Sequence, residues 1–165
     1  MQQLDPNNSA YNIIRAVRLE GVLDQLSLEQ GLNEIVRRHE ILRTQFILDH
    51  EKPMQYILPE LFVPLEIVDL IKLSGEGREQ EIRRIIASEN QRPFDLAGGP
   101  LLSTKLLVLN EEVHVFLLVI HHIISDGIST EILVREFTAL YQSQELPPIS
   151  LHYKDYMEWQ SSLKQ

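Results

Sequence analysis

One segment constrains this chain more than any other. Val113-His114-Val115-Phe116-Leu117-Leu118-Val119-Ile120 is an almost unbroken apolar run, and at this length it reads as a strand buried on both faces. A bilayer-crossing helix would need about 20 such residues. The run leads straight into His121-His122-Ile123-Ile124-Ser125-Asp126-Gly127. Whatever the fold, it must cover two faces of a central strand and bring two imidazoles and a carboxylate to the end of it.

The flanking sequence supplies the cover. Leu101 to Leu109 precedes the run across Asn110-Glu111-Glu112, the pattern of a hairpin. Tyr11 to Leu19 reads as a further strand between Asn7-Asn8-Ser9 and Glu20-Gly21. Leu28, Leu32, Ile35, Val36 and His39 recur at helical spacing, with Asp24 or Ser27 able to cap the helix start. Arg43 to Leu48 and Met54 to Leu58 form a second hairpin pattern around Asp49 to Pro53, where the proline is expected to end pairing. Leu65 to Val68 is a short strand. Ser74-Gly75-Glu76-Gly77 reads as a break before a helix over Gln80 to Asn90, which Pro93 and Gly98-Gly99-Pro100 close. A helix over Ser129 to Gln142 carries Ile132, Leu133, Phe137, Leu140 and Tyr141, and a last one spans Tyr153 to Leu163 beyond the linker Glu145-Leu146-Pro147-Pro148. Hairpins mixed with helices predict an α/β fold, a two-layer sandwich with a mixed sheet and flanking helices.

Composition excludes several function classes. The 165 residues include no cysteine, which removes disulfide frameworks, thiolate zinc sites and a cysteine nucleophile, and fits a reducing compartment, the cytoplasm by default. A net charge of −9 with scattered basic residues argues against a nucleic-acid partner. The polar start Met1-Gln2-Gln3-Leu4-Asp5-Pro6 has no signal-peptide core, and no segment predicts membrane insertion.

The chemistry concentrates at residues 121–127. If strand geometry persists to residue 122, His121 and His122 leave on opposite faces, so one faces any given cavity and the other supports it. An imidazole at a dry strand end can hold or exchange a proton near neutral pH, and Gly127 lets the backbone approach a ligand. Two adjacent histidines are also a common way to close a strand with hydrogen-bonded core residues. A metal site built on His121, His122 and Asp126 would lack a complete ligand set, so no metal is expected. Ser125 lacks a nucleophile elbow and reads as a turn residue. Arg38 and Arg43 are equally readable as surface cations at a helix end.

These residues carry a family resemblance. His121 to Gly127 resembles the HHxxxDG motif of nonribosomal peptide synthetase condensation domains. Arg38-His39-Glu40-Ile41-Leu42-Arg43-Thr44-Gln45-Phe46 resembles their upstream RHExLRTxF motif, and Tyr153-Lys154-Asp155-Tyr156-Met157-Glu158-Trp159 their downstream YxDYxxW motif, in the same order. The segments Pro93-Phe94-Asp95-Leu96 and Gly99-Pro100-Leu101-Leu102 are similar to what the family places before its central hairpin.

The resemblance implies a chloramphenicol-acetyltransferase-like N-terminal lobe over residues 1–165, without the family's first motif and without the C-terminal lobe that completes a two-lobe domain. It implies amide formation between thioesters tethered to donor and acceptor peptidyl carrier proteins through phosphopantetheine, with no cofactor bound by this lobe. His122 would be the working residue, with His121, Asp126 and Gly127 around it. Asp126 would pair with an arginine of the upstream motif, Arg38 first and Arg43 second. Asp126-Gly127-Ile128-Ser129 lacks the DGxSW form of epimerisation domains, the intact pair His121-His122 departs from the DxxxxD form of cyclisation domains, and His121 to Gly127 looks more like domains joining an L donor to an L acceptor than the D-to-L type. The lobe alone is expected to be inactive, with a noncatalytic binding lobe or a stand-alone acyltransferase of the same superfamily as alternatives.

Overall fold

The computed structural model describes residues 11–50, 52–125, 127–142 and 144–149, with residues 127–130 described by backbone alone. The apolar run becomes β6 (Val113–His121), an inner strand of a four-stranded sheet in the order β1-β6-β5-β4, with β1 (Asn12–Glu20), β4 (Leu65–Asp69) and β5 (Leu102–Val108). β6 pairs antiparallel with β1 and β5, while β4 and β5 run parallel around the helix that connects them. The sheet is therefore mixed, as expected. Antiparallel neighbours point opposed side chains to one face, so Phe116, Leu118 and Ile120 share a face with Leu106, Thr104 and Leu102, and Leu117 shares the other with Lys105 and Ala16.

Both faces are covered. On the first lie α1 (Gln25–Arg38) and α3 (Gly127–Tyr141), and Leu32, Ile35, Val36 and Leu133 join Leu102, Leu118 and Ile120 in one core. On the second lies α2 (Gly75–Asn90), whose Ile85 packs with Leu107, Leu109 and Leu117. Full burial of a leucine is worth about 1.5–3 kcal/mol, and Leu106, Leu107 and Leu117 are each 0% exposed. The central strands thus supply much of the folding energy and hold the end of β6 in place.

Local chemistry sets the element ends. Asp24 caps α1 by accepting from the Leu26 and Ser27 amides and the Ser27 hydroxyl, a set led by that hydroxyl which holds its carboxyl below the ordinary range. The helix stops at Arg38. His39 has left helical geometry and closes it, donating its backbone N–H to the Ile35 carbonyl at 3.0 Å, and a 3-10 turn over Glu40–Arg43 leads into β2 (Thr44–Asp49).

Two expectations are corrected. Pro53 does not end pairing: it lies inside β3 (Lys52–Ile57), opposite Leu48 in a separate two-stranded ribbon, where an edge strand tolerates a missing N–H. The turn is correspondingly tight, with His50 at a φ of 47°. The second correction concerns α2, which starts at Gly75 rather than Gln80. Glu76 to Glu81 are good helix formers apart from one glycine costing about 1 kcal/mol, and the apolar stripe that made the helix visible begins only at Ile82. The Ser129–Gln142 expectation matches α3 to within two residues at its start and one at its end. The helix expected over Tyr153 to Leu163 lies outside the described residues.

Candidate active site

β6 ends at His121 because its partners end there. Asn12 is the last residue of β1 in register with it, and Leu102 of β5 pairs with Ile120. His121 still donates its backbone N–H to the Leu101 carbonyl at 2.9 Å, and its Nδ1 accepts the Ile123 N–H at 3.0 Å. A nitrogen that accepts carries no hydrogen, so the neutral ring has its hydrogen on Nε2. His121 is 2% exposed, with Phe94 edge-on at 6.2 Å and Tyr11 at 6.1 Å between ring centroids. Burial, followed by the neighbouring His122, pushes its pKa down.

His122 opens a 3-10 turn over His122–Ile124, and its side chain is exposed, whereas Ile124 and Ser125 are buried. Strand geometry therefore does not persist to residue 122. The two imidazoles occupy different environments because the His121 ring caps a turn that His122 begins. Ser125 leaves the turn in extended geometry. Asp126 lies outside the described residues. Gly127 starts α3.

The two arginines of the upstream motif have distinct surroundings. Arg38 donates from Nε to Glu136 at 3.4 Å and from Nη2 to the Pro147 carbonyl at 2.7 Å. Arg43 donates from Nη1 to the Leu58 carbonyl, lies 3.9 Å from Glu40 through Nη2, and keeps a buried Nε without a hydrogen-bond acceptor among the described residues. The sequence reading missed Glu136, whose Oε2 also lies 2.8 Å from His39 Nε2. A signal was there: position 136 is three residues after Leu133 and four before Leu140, so a carboxylate sits on the apolar stripe of α3.

Among the described residues no three His, Asp or Glu side chains gather as a metal site, and no helix is long and apolar enough to cross a membrane. A cavity of about 50 Å³ lies between α1, α3 and the sheet, and a polar one of about 230 Å³ lies beside α2 at Glu66, Glu89 and Lys105. Neither is lined by His122.

Comparison with known proteins decides the family. The condensation-domain family model matches residues 1–165. This chain belongs to the condensation-domain family. Tyrocidine synthase 3 of Brevibacillus parabrevis is 43% identical over 165 residues, all of this chain, which spans about 2% of that protein's length. The first condensation domain of the calcium-dependent antibiotic synthetase, solved with a substrate analogue, is 26% identical with a TM-score of 0.82, covering 99% of this chain and 40% of that one. The starter condensation domain of rhizomide synthetase, 21% identical, shares the fold with a TM-score of 0.87 over 99% of this chain and 40% of its own. The fold is thus the chloramphenicol-acetyltransferase-like α/β fold of condensation domains, which need no cofactor of their own.

Proposed function

We propose that residues 1–165 form the N-terminal lobe of a condensation domain that makes peptide bonds in nonribosomal peptide synthesis. The acceptor's amino group attacks the carbonyl carbon of the donor's thioester. A C–N bond forms, the C–S bond breaks, the ammonium gives up a proton and the donor thiol leaves. The substrates arrive on the phosphopantetheine arms of donor and acceptor peptidyl carrier proteins, and the lobe itself holds no cofactor.

The observation that carries this reading is the unequal placement of two adjacent histidines in a chain of this family. His121 is enclosed and capping a turn, so its ring is committed to structure, while His122 stands exposed at the strand end. An α-ammonium has a pKa near ~7.7–8.0, so an imidazole that accepts its proton or orients the amine accelerates attack. A positioned base contributes on the order of 10² to 10⁴ in rate. Gly127, at the start of α3, lets the backbone come close to the acyl group.

The exposure of His122 and its absence from both cavities favour a second reading for the 165 residues by themselves, a binding lobe without turnover. Both readings are tested by assaying the two-lobe domain and the 165-residue chain with aminoacyl-loaded donor and acceptor carrier proteins, following the acceptor-bound product by mass. Amide from the two-lobe domain alone is the expected result. No amide from it across a panel of aminoacyl groups contradicts the condensation reading, and amide from the single lobe contradicts the need for a second wall.

A further inference from the structure

Glu136 ties together α3, the end of α1 and the segment beyond α3. Its Oε2 accepts from His39 Nε2, which carries the hydrogen when it faces a carboxylate oxygen, and from Arg38 Nε. Arg38 extends the contact to the Pro147 carbonyl beyond α3. The side chains of Glu136, Arg38 and His39 are 15%, 10% and 19% exposed, so water replaces a lost partner poorly.

The place of this clasp in the fold gives it a consequence. α3 begins at Gly127, five residues after His122 in the sequence, so its axial position and rotation constrain the segment that carries His122. Apolar contact beneath the helix is non-directional, and the layer there is incompletely filled: Ile35, Leu133 and Phe137 line the cavity of about 50 Å³. Directional contacts must therefore fix the helix. One is at its far end, where the Tyr141 hydroxyl accepts the Asp24 N–H at 3.2 Å. Among the described residues Glu136 makes another, nearer the motif. A slip of one residue along a helix axis is about 1.5 Å, and a misplacement of about 1 Å at a reacting group can cost on the order of 10² in rate.

We propose that Glu136 is a positioning residue for amide formation, setting α3 against the end of α1 through Arg38 and His39 and thereby placing His122. The proposal rests on the role given to His122 above. Its test uses the complete two-lobe domain with loaded carrier proteins, comparing the parent with Glu136→Ala and Glu136→Gln. Glu136→Ala should lower kcat at least about tenfold with KM for the loaded acceptor carrier changed less than about twofold. It should also speed amide exchange at Ile123 to Ser125 by about tenfold while leaving β5 and β6 unchanged. Gln keeps an acceptor oxygen and should recover most of both effects. Unchanged kcat together with unchanged loop exchange overturns the proposal, as does exchange that rises equally in β5, β6 and the loop. If the parent makes no amide, the condensation reading fails on its own, and the exchange comparison still decides the clasp.

Discussion

His121 Nδ1 accepts the backbone N–H of Ile123 at 3.0 Å, and this contact caps the turn that follows β6 and commits the first histidine of the pair to structure. Because the bond uses a ring nitrogen without a hydrogen, protonation of His121 breaks it. Burial acts in the same direction, holding the His121 pKa below its ordinary value of 6.5.

Stability should therefore depend on pH through His121. The unfolded state binds the proton more tightly, so the stabilisation is fully present above the unfolded value of 6.5 and is lost as pH falls toward the lower folded value. Urea midpoints measured from about pH 7 to 5 should fall more steeply for the parent than for His121→Asn, whose side-chain oxygen can replace Nδ1 without titrating. Equal slopes would show that His121 does not titrate in this window.

The proposed partner of Asp126 can be assigned by coupling. Arg38 is occupied by Glu136 and Pro147, while Arg43 has a buried Nε with no acceptor among the described residues. Breaking a buried pair typically costs about 3–5 kcal/mol, and the losses for two true partners do not add. Asp126→Ala and Arg43→Ala should each destabilise by that order and together by little more than either alone. Asp126→Ala with Arg38→Ala should add. Additivity with Arg43 and coupling with Arg38 would reverse the assignment.

Much of this architecture was legible in the sequence because its signals were local. Asp24 precedes a helical stripe and caps it, and the apolar run of β6 is the inner strand it reads as. What the sequence did not disclose depends on distant partners. The end of β6 is set by where β1 and β5 run out, which no pattern within residues 113–122 records. Pro53 stays in a strand because β3 is an edge, and α2 begins before its apolar stripe because its first turns face solvent. Glu136 looked like one polar residue in a helix until the end of α1 came to meet it.

Stability should divide between the sheet and the hairpin. Leu117 is 0% exposed on β6, and Met54 is 49% exposed on β3. Leu117→Ala should cost about 2–5 kcal/mol, and Met54→Ala should stay within about 0.5 kcal/mol. Chemical denaturation of both variants measures this, and a comparable loss at Met54 would mean that the hairpin is part of the cooperative core.

The central claim is the division of labour between the two histidines. Single-turnover amide formation, measured on the two-lobe domain with loaded carrier proteins at matched folded fraction, tests it most directly. His122→Ala should slow the reaction by on the order of 10² or more, while His121→Ala should retain most of the rate per folded molecule and instead lower the melting temperature. A stable but inactive His121→Ala beside a His122→Ala variant that condenses at near the parental rate would contradict the account.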